Sequence, residues 1–112
     1  NIAHGAGLSI IFPAWMKYVW KSNPAKFVQF GQRVWGINSY PYDTEYTVTQ
    51  MIRRLEDWYK QLGLPTRLSE IGINNSQFEA MAERALVNRE SGLGNFVKLK
   101  KQDIIEIFKL AL

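Results

Sequence analysis

Cysteine is absent from this chain, and histidine occurs once, as His4. Without cysteine there is no disulfide framework, no cysteine-based zinc site, no iron–sulfur cluster and no thiol nucleophile. One imidazole also falls short of the protein ligands that a catalytic zinc usually takes, so the chain is poorly equipped to build a metal centre alone. No nucleophile-and-base pair is visible, because the single His has no recognisable Ser partner. None of the ten acids is distinguished by an apolar setting. Long runs of one charge are missing too. Arg53, Arg54, Arg67, Arg84, Arg89, Lys98, Lys100 and Lys101 are interleaved with Glu56, Asp57, Glu83, Glu90 and Asp103, the pattern of a solvated face rather than a nucleic-acid footprint. The net charge of +4 permits an anionic partner without requiring one.

The apolar stretch from Leu8 to Trp20 is shorter than the roughly twenty residues of a spanning helix. Pro13 and Lys17 interrupt it, and no cationic region precedes it as in a signal peptide, so it reads as a buried helix. What is present describes a globular domain. The 112 residues suit one domain, and 46% apolar with 21% charged residues argues against a disordered tail. A chain of this size buries roughly two-thirds of its unfolded surface, enough for a core. The first residue is Asn1 rather than Met, and the chain opens within apparent structure, so a piece of a longer polypeptide is expected.

Apolar residues recur with the helical period, and no internal repeat or alternating strand pattern competes. Leu8, Ile11, Phe12, Trp15, Met16 and Val19 lay one stripe along a first helix, with Pro13 expected to kink it or mark a tightened turn. Ser22-Asn23-Pro24 starts a second helix, whose inward face is Phe27, Phe30, Gly31 and Val34, and Gly36 stops it. After a loop from Gly36 to Pro41, Asp43 or Thr44 caps the third helix. Val48, Met51, Ile52, Leu55, Trp58, Tyr59 and Leu62 form its apolar face, and Gly63 ends it. A connector around Pro65 leads to a fourth helix beginning near Asn75 or Ser76, where Ser76 and Glu79 have capping-box spacing. Phe78, Met81, Ala82, Ala85 and Leu86 make its apolar edge. Ser91 to Asn95 is a glycine-rich loop, and Lys100 to Ala111 a final helix that buries Ile104, Ile105, Ile107, Phe108 and Ala111. Five helices joined by short loops predict an all-α bundle.

On spacing alone His4 is a capping or partly exposed imidazole before it is a ligand. Gly5 and Gly7 beside it would let another backbone, a cofactor or a substrate approach closely. Gly5-Ala6-Gly7 lacks the third glycine and the preceding strand of a dinucleotide fingerprint, and the loop at Gly92 lacks a Walker lysine. Four Trp and five Tyr at helical spacing read as core rather than as a stacking platform.

The run from Ala3 to Tyr18 (Ala-His-Gly-Ala-Gly-Leu-Ser-Ile-Ile-Phe-Pro-Ala-Trp-Met-Lys-Tyr) resembles the second half of the metal-binding signature of iron-dependent (group III) alcohol dehydrogenases. The resemblance is to the NADH-dependent butanol dehydrogenase branch. Phe27 to Phe30, Arg33 to Gly36, Gly63 to Thr66, Leu68 to Glu70, Gly72-Ile73, Leu99, Asp103-Ile104 and Ile107 follow in the expected order, so it spans nearly the whole chain. It implies the C-terminal part of the helical domain in a dehydroquinate synthase-like fold, with residues 1–112 as one domain. The family's N-terminal α/β nucleotide-binding domain would be the partner of this part, and a homo-oligomer is compatible with it. His4 matches the last metal-ligating His. The other ligands, an Asp and two His, and the glycine-rich cofactor segment lie earlier than this chain reaches. The implied cofactors are Fe2+ or Zn2+ and NAD(P)H, the implied substrates small alcohols and aldehydes such as butyraldehyde, and the implied setting cytoplasmic, without nucleic acid or membrane. No catalytic or cofactor-binding residue is carried over to this chain. Ser91 and Asn95 align with a loop that approaches the substrate pocket. The isolated chain is expected to be inactive. The competing reading is a stand-alone basic helical module that binds nucleic acid or a protein partner.

Overall fold

A computed structural model describes residues 4–36, 44–87, 92 and 97–112, with the side chains of residues 4–6 left out. Five α-helices account for most of these residues: α1 (His4–Val19), α2 (Pro24–Trp35), α3 (Thr44–Gln61), α4 (Phe78–Ala85) and α5 (Lys101–Ala111). Short 3-10 turns at Trp20–Ser22, Leu68–Ile71 and Asn75–Gln77 join them, and every named element among the described residues is helical. The all-α expectation is correct.

Helix α1 is the hub. It packs against α3 and α5, while α2 lies on α3 and α4 on α5. The principal extents are 40 × 33 × 19 Å. Since one helix with its side chains is about 10–12 Å across, the short dimension holds two helical layers. The core joins Ile10, Ala14, Met16 and Val19 of α1 to Phe27 of α2 and to Val48, Met51, Ile52 and Leu55 of α3. Leu68, Phe78, Ala82, Leu99, Ile104, Ile107, Phe108 and Ala111 continue it. Phe78 and Phe108 meet with ring centroids 5.5 Å apart, which ties α4 to α5.

Several expectations need correction. Pro13 is fully buried inside an unbroken α1, and the tightened turn stands instead at Trp20–Ser22, beyond its end. The inner face of α1 includes Ile10 and Ala14, whereas Leu8 on the anticipated stripe is 48% exposed. The faces of α2 and α3 are buried only in part, with Val34, Trp58 and Leu62 exposed. The capping box before α4 is built by Asn74 rather than Ser76, and it caps the 3-10 turn Asn75–Gln77. The Asn74 side chain accepts the Ser76 N–H at 3.0 Å, and Gln77 accepts the Asn74 N–H at 3.3 Å. This reciprocal box starts a 3-10 turn, and α4 follows only at Phe78. The last helix begins one residue later than expected, with Lys100 at its N-cap position.

Candidate functional site

The metal-ligand candidate, His4, is the first residue of α1. Its side chain lies outside the description, so the geometry that bears on it is that of the helix carrying it. Three side-chain ties fix that helix. The fully buried Ser9 hydroxyl donates to the carbonyl of Pro65, pinning the second turn of α1 to the connector after α3. Lys17 contacts the Glu56 carboxylate at 3.4 Å, linking α1 to α3. Tyr18 donates to Asp103 Oδ1 at 2.6 Å, linking α1 to α5.

The third tie is also electrostatic. The phenol of Tyr18 is pushed up to about 12, first by its hydrogen bond to Asp103 and then by burial. The carboxyl of Asp103 is held below its ordinary value, first by the same bond and then by the Lys100 N–H, which it accepts at 2.8 Å. A phenol with a raised folded pKa contributes stability in full below about pH 10, and that contribution disappears as pH rises toward 12. The carboxylate contributes above about pH 4 and loses its contribution as pH falls further. Tyr18→Phe should therefore lose stability less steeply than the parent chain between about pH 9 and pH 11. Urea titrations of both proteins at the two pH values measure this, and parallel losses would show that the bond carries no pH-dependent stability.

Near the first turn of α1, a Cβ built on Gly7 would meet no described atom within 4 Å. Nothing within the described chain requires glycine there, and Leu8 beside it is exposed. The other predicted pocket residues, Ser91 and Asn95, lie outside the described residues. Between them Gly92 is buried at φ 108°, and a Cβ there would stand 3.0 Å from the Leu99 carbonyl oxygen. Glycine at this point lets its own backbone lie directly against Leu99.

The most enclosed cleft among those described lies elsewhere. It holds about 360 Å³ and is lined by Lys17, Trp20, Glu45, Thr49, Ile52, Arg53, Glu56 and Arg67. Glu56 draws in Lys17 and Arg67, the latter at 3.5 Å, so its charges largely answer one another. Lys17 stands about 20 Å along α1 from His4 at 1.5 Å per residue, which separates this cleft from the metal-ligand candidate.

The donor set does not fit a metal by itself. The chain has one imidazole and no thiol, and no group of three or more His, Cys, Asp or Glu among the described residues could hold an ion. Nor does the basic-module reading gain support. Lys101 bridges Glu79 and Glu83 at 3.0 Å each, and Lys109 meets Glu106 at 3.0 Å, so these cations are matched by neighbouring acids. No helix among the described residues is long and apolar enough to cross a membrane.

The chain belongs to the Fe-containing alcohol dehydrogenase family and matches that family's C-terminal region over residues 1–112. It is 34% identical over 110 residues to NADH-dependent butanol dehydrogenase A of Clostridium acetobutylicum, covering 97% of this chain and 28% of that protein. The crystal structure of NADH-dependent butanol dehydrogenase A from Thermotoga maritima superimposes with a TM-score of 0.85 at 35% identity, over 98% of this chain and 29% of the other. The aldehyde reductase YqhD of Escherichia coli shares the fold, with a TM-score of 0.89 at 24% identity. The chain thus spans under a third of the length of these relatives. Sequence reasoning missed Ser9 and Glu56 as fixing residues, since neither belongs to an apolar stripe. The chain order Tyr18…Asp103 carried no signal of contact.

Proposed function

We propose that this chain is the metal-binding helical portion of a nicotinamide-dependent alcohol dehydrogenase that interconverts small alcohols and aldehydes. Residues 1–112 act in it as one domain. His4 provides the last metal ligand, and the remaining ligands and the NAD(P)H site come from the preceding part of the enzyme. When bound, Fe2+ or Zn2+ supplies Lewis acidity toward a carbonyl or hydroxyl oxygen of the substrate. The chain's own residues hold and position. Ser9, Lys17 and Tyr18 keep α1 fixed so that its first residue is presented from a rigid element. Ser91 and Asn95, which flank the stretch holding Gly92 in the sequence, shape the substrate pocket. The enzyme works in the cytoplasm, and its assembly into a homo-oligomer belongs to the same proposal.

The observation that carries this reading is the match to the family along all 112 residues, with the one histidine opening α1 at the signature. The test compares this chain with the longer polypeptide. The purified chain, supplied with Fe2+ or Zn2+, butyraldehyde and NADH, should show no aldehyde-dependent NADH oxidation and retain no metal through gel filtration. The longer polypeptide should do both, with Ser91→Ala and Asn95→Ala raising KM for the aldehyde while leaving its metal content unchanged. Sustained turnover by the 112-residue chain alone would overturn the assignment.

A further inference from the structure

Along α1, position 4 is followed on the same side of the helix by positions 8, 12 and 15, one turn apart. Leu8 on this stripe is half exposed, and Phe12 and Trp15 are only partly buried. Their rings stack at 5.8 Å with an interplanar angle of 14°. Trp15 in turn meets Phe27 of α2 at 6.2 Å. Together with Met16 and Phe30 these rings line an apolar groove of about 180 Å³, whose lining also includes the exposed Lys26. The other sides of α1 are taken by α3 and α5.

We propose that the stripe Leu8–Phe12–Trp15, with the Phe27 and Phe30 wall of α2, seats an apolar helix from the part of the enzyme outside this chain. The proposal rests on the functional reading above. Two observations select this occupant. This chain accounts for 28% of the length of its Clostridium relative, so most of such an enzyme remains to be packed against it. Any segment that brings further ligands to position 4 reaches α1 at the start of this stripe and meets Leu8 one turn on. The groove continues the metal site as a hydrophobic anchor, and its contacts hold α1 in register with the other ligands. The exposed Lys26 on the lining suits a carboxylate on the seated helix.

The experiment uses the longer polypeptide with a protease site introduced directly before Asn1. After cleavage, the two pieces of the parent enzyme should co-elute on size exclusion. Leu8→Glu and Phe30→Glu should each weaken their association at least about tenfold in a dilution series. Leu8 is half exposed in this chain, so its variant remains informative if Phe30→Glu lowers the unfolding midpoint. Val87→Glu, at a site 61% exposed two residues past α4 and absent from the groove lining, should leave the association unaltered. Equal retention of the pieces in both groove variants would overturn the proposal. So would conversion of a dimer into monomers with the cleaved pieces still joined, because the groove would then seat a second copy. His4→Ala in the same material separates the two readings. If it keeps the pieces together but releases the metal, both stand. If the metal stays bound, the ligand assignment falls while the groove result is judged on its own.

Discussion

His4→Ala in the complete enzyme should release the metal and lower kcat/KM by more than about a hundredfold. Outer partners that only orient a ligand already account for 10–100-fold in metal affinity or activity, and removing a donor atom exceeds that. The chain holds no second imidazole and no thiol to take its place. The effect should be confined to the metal. His4 is the first residue of α1, and the packing of that helix begins further on, at Ser9 and Ile10. Helical circular dichroism and the unfolding midpoint of the 112-residue chain should thus be unchanged by the substitution, while elemental analysis of the complete enzyme reports the loss. A His4→Ala enzyme that keeps its metal would remove this residue from the ligand set.

Met51→Ala is expected to have the opposite signature, a stability loss without any local chemistry. Met51 has no exposed surface and sits on α3, a helix that packs against both α1 and α2. Truncating a buried Met to Ala costs about 2–5 kcal/mol, from lost transfer energy and the cavity left behind. Against a total of about 5–15 kcal/mol for a domain, such a loss populates unfolded chains measurably. Urea unfolding at pH 7 should show the midpoint falling with little change in slope. Val87→Ala, at an exposed site, should stay within about 0.5 kcal/mol of the parent. A Met51 variant as stable as the Val87 variant would mean that the contact of α3 with α1 and α2 is looser than the packing indicates.

The helices were legible because their apolar residues keep a 3.6-residue period and their ends carry Gly36, Gly63 and Pro24. What the period does not encode is how far a neighbour extends. On α3 it marks Val48 to Leu55 and Trp58 to Leu62 alike, yet burial stops after Leu55 except at the partly covered Tyr59. On α1 it favours large side chains, whereas the most deeply buried positions also include Ser9, Pro13 and Ala14, whose small volume or polarity hides them from a hydrophobic pattern. The capping box fell on the 3-10 turn that precedes the fourth helix, where the Asn74 carboxamide accepts the Ser76 N–H, Gln77 accepts the Asn74 N–H, and the Ser76 hydroxyl bonds to Asn74 itself. As for the site, composition alone tells that one imidazole cannot make a metal centre. The role of His4 as a ligand rests on the family signature, because its spacing to other donors has no meaning within this chain.

The short dimension of 19 Å carries a consequence for the protein in a cell. A body two helices thick has broad sides and little depth, so exposed apolar residues such as Leu8, Val34 and Leu62 stay open to the surrounding proteins. In the enzyme proposed above, such a slab made alone would be treated by chaperones and proteases as unfinished, and its abundance would follow that of the remainder of the polypeptide.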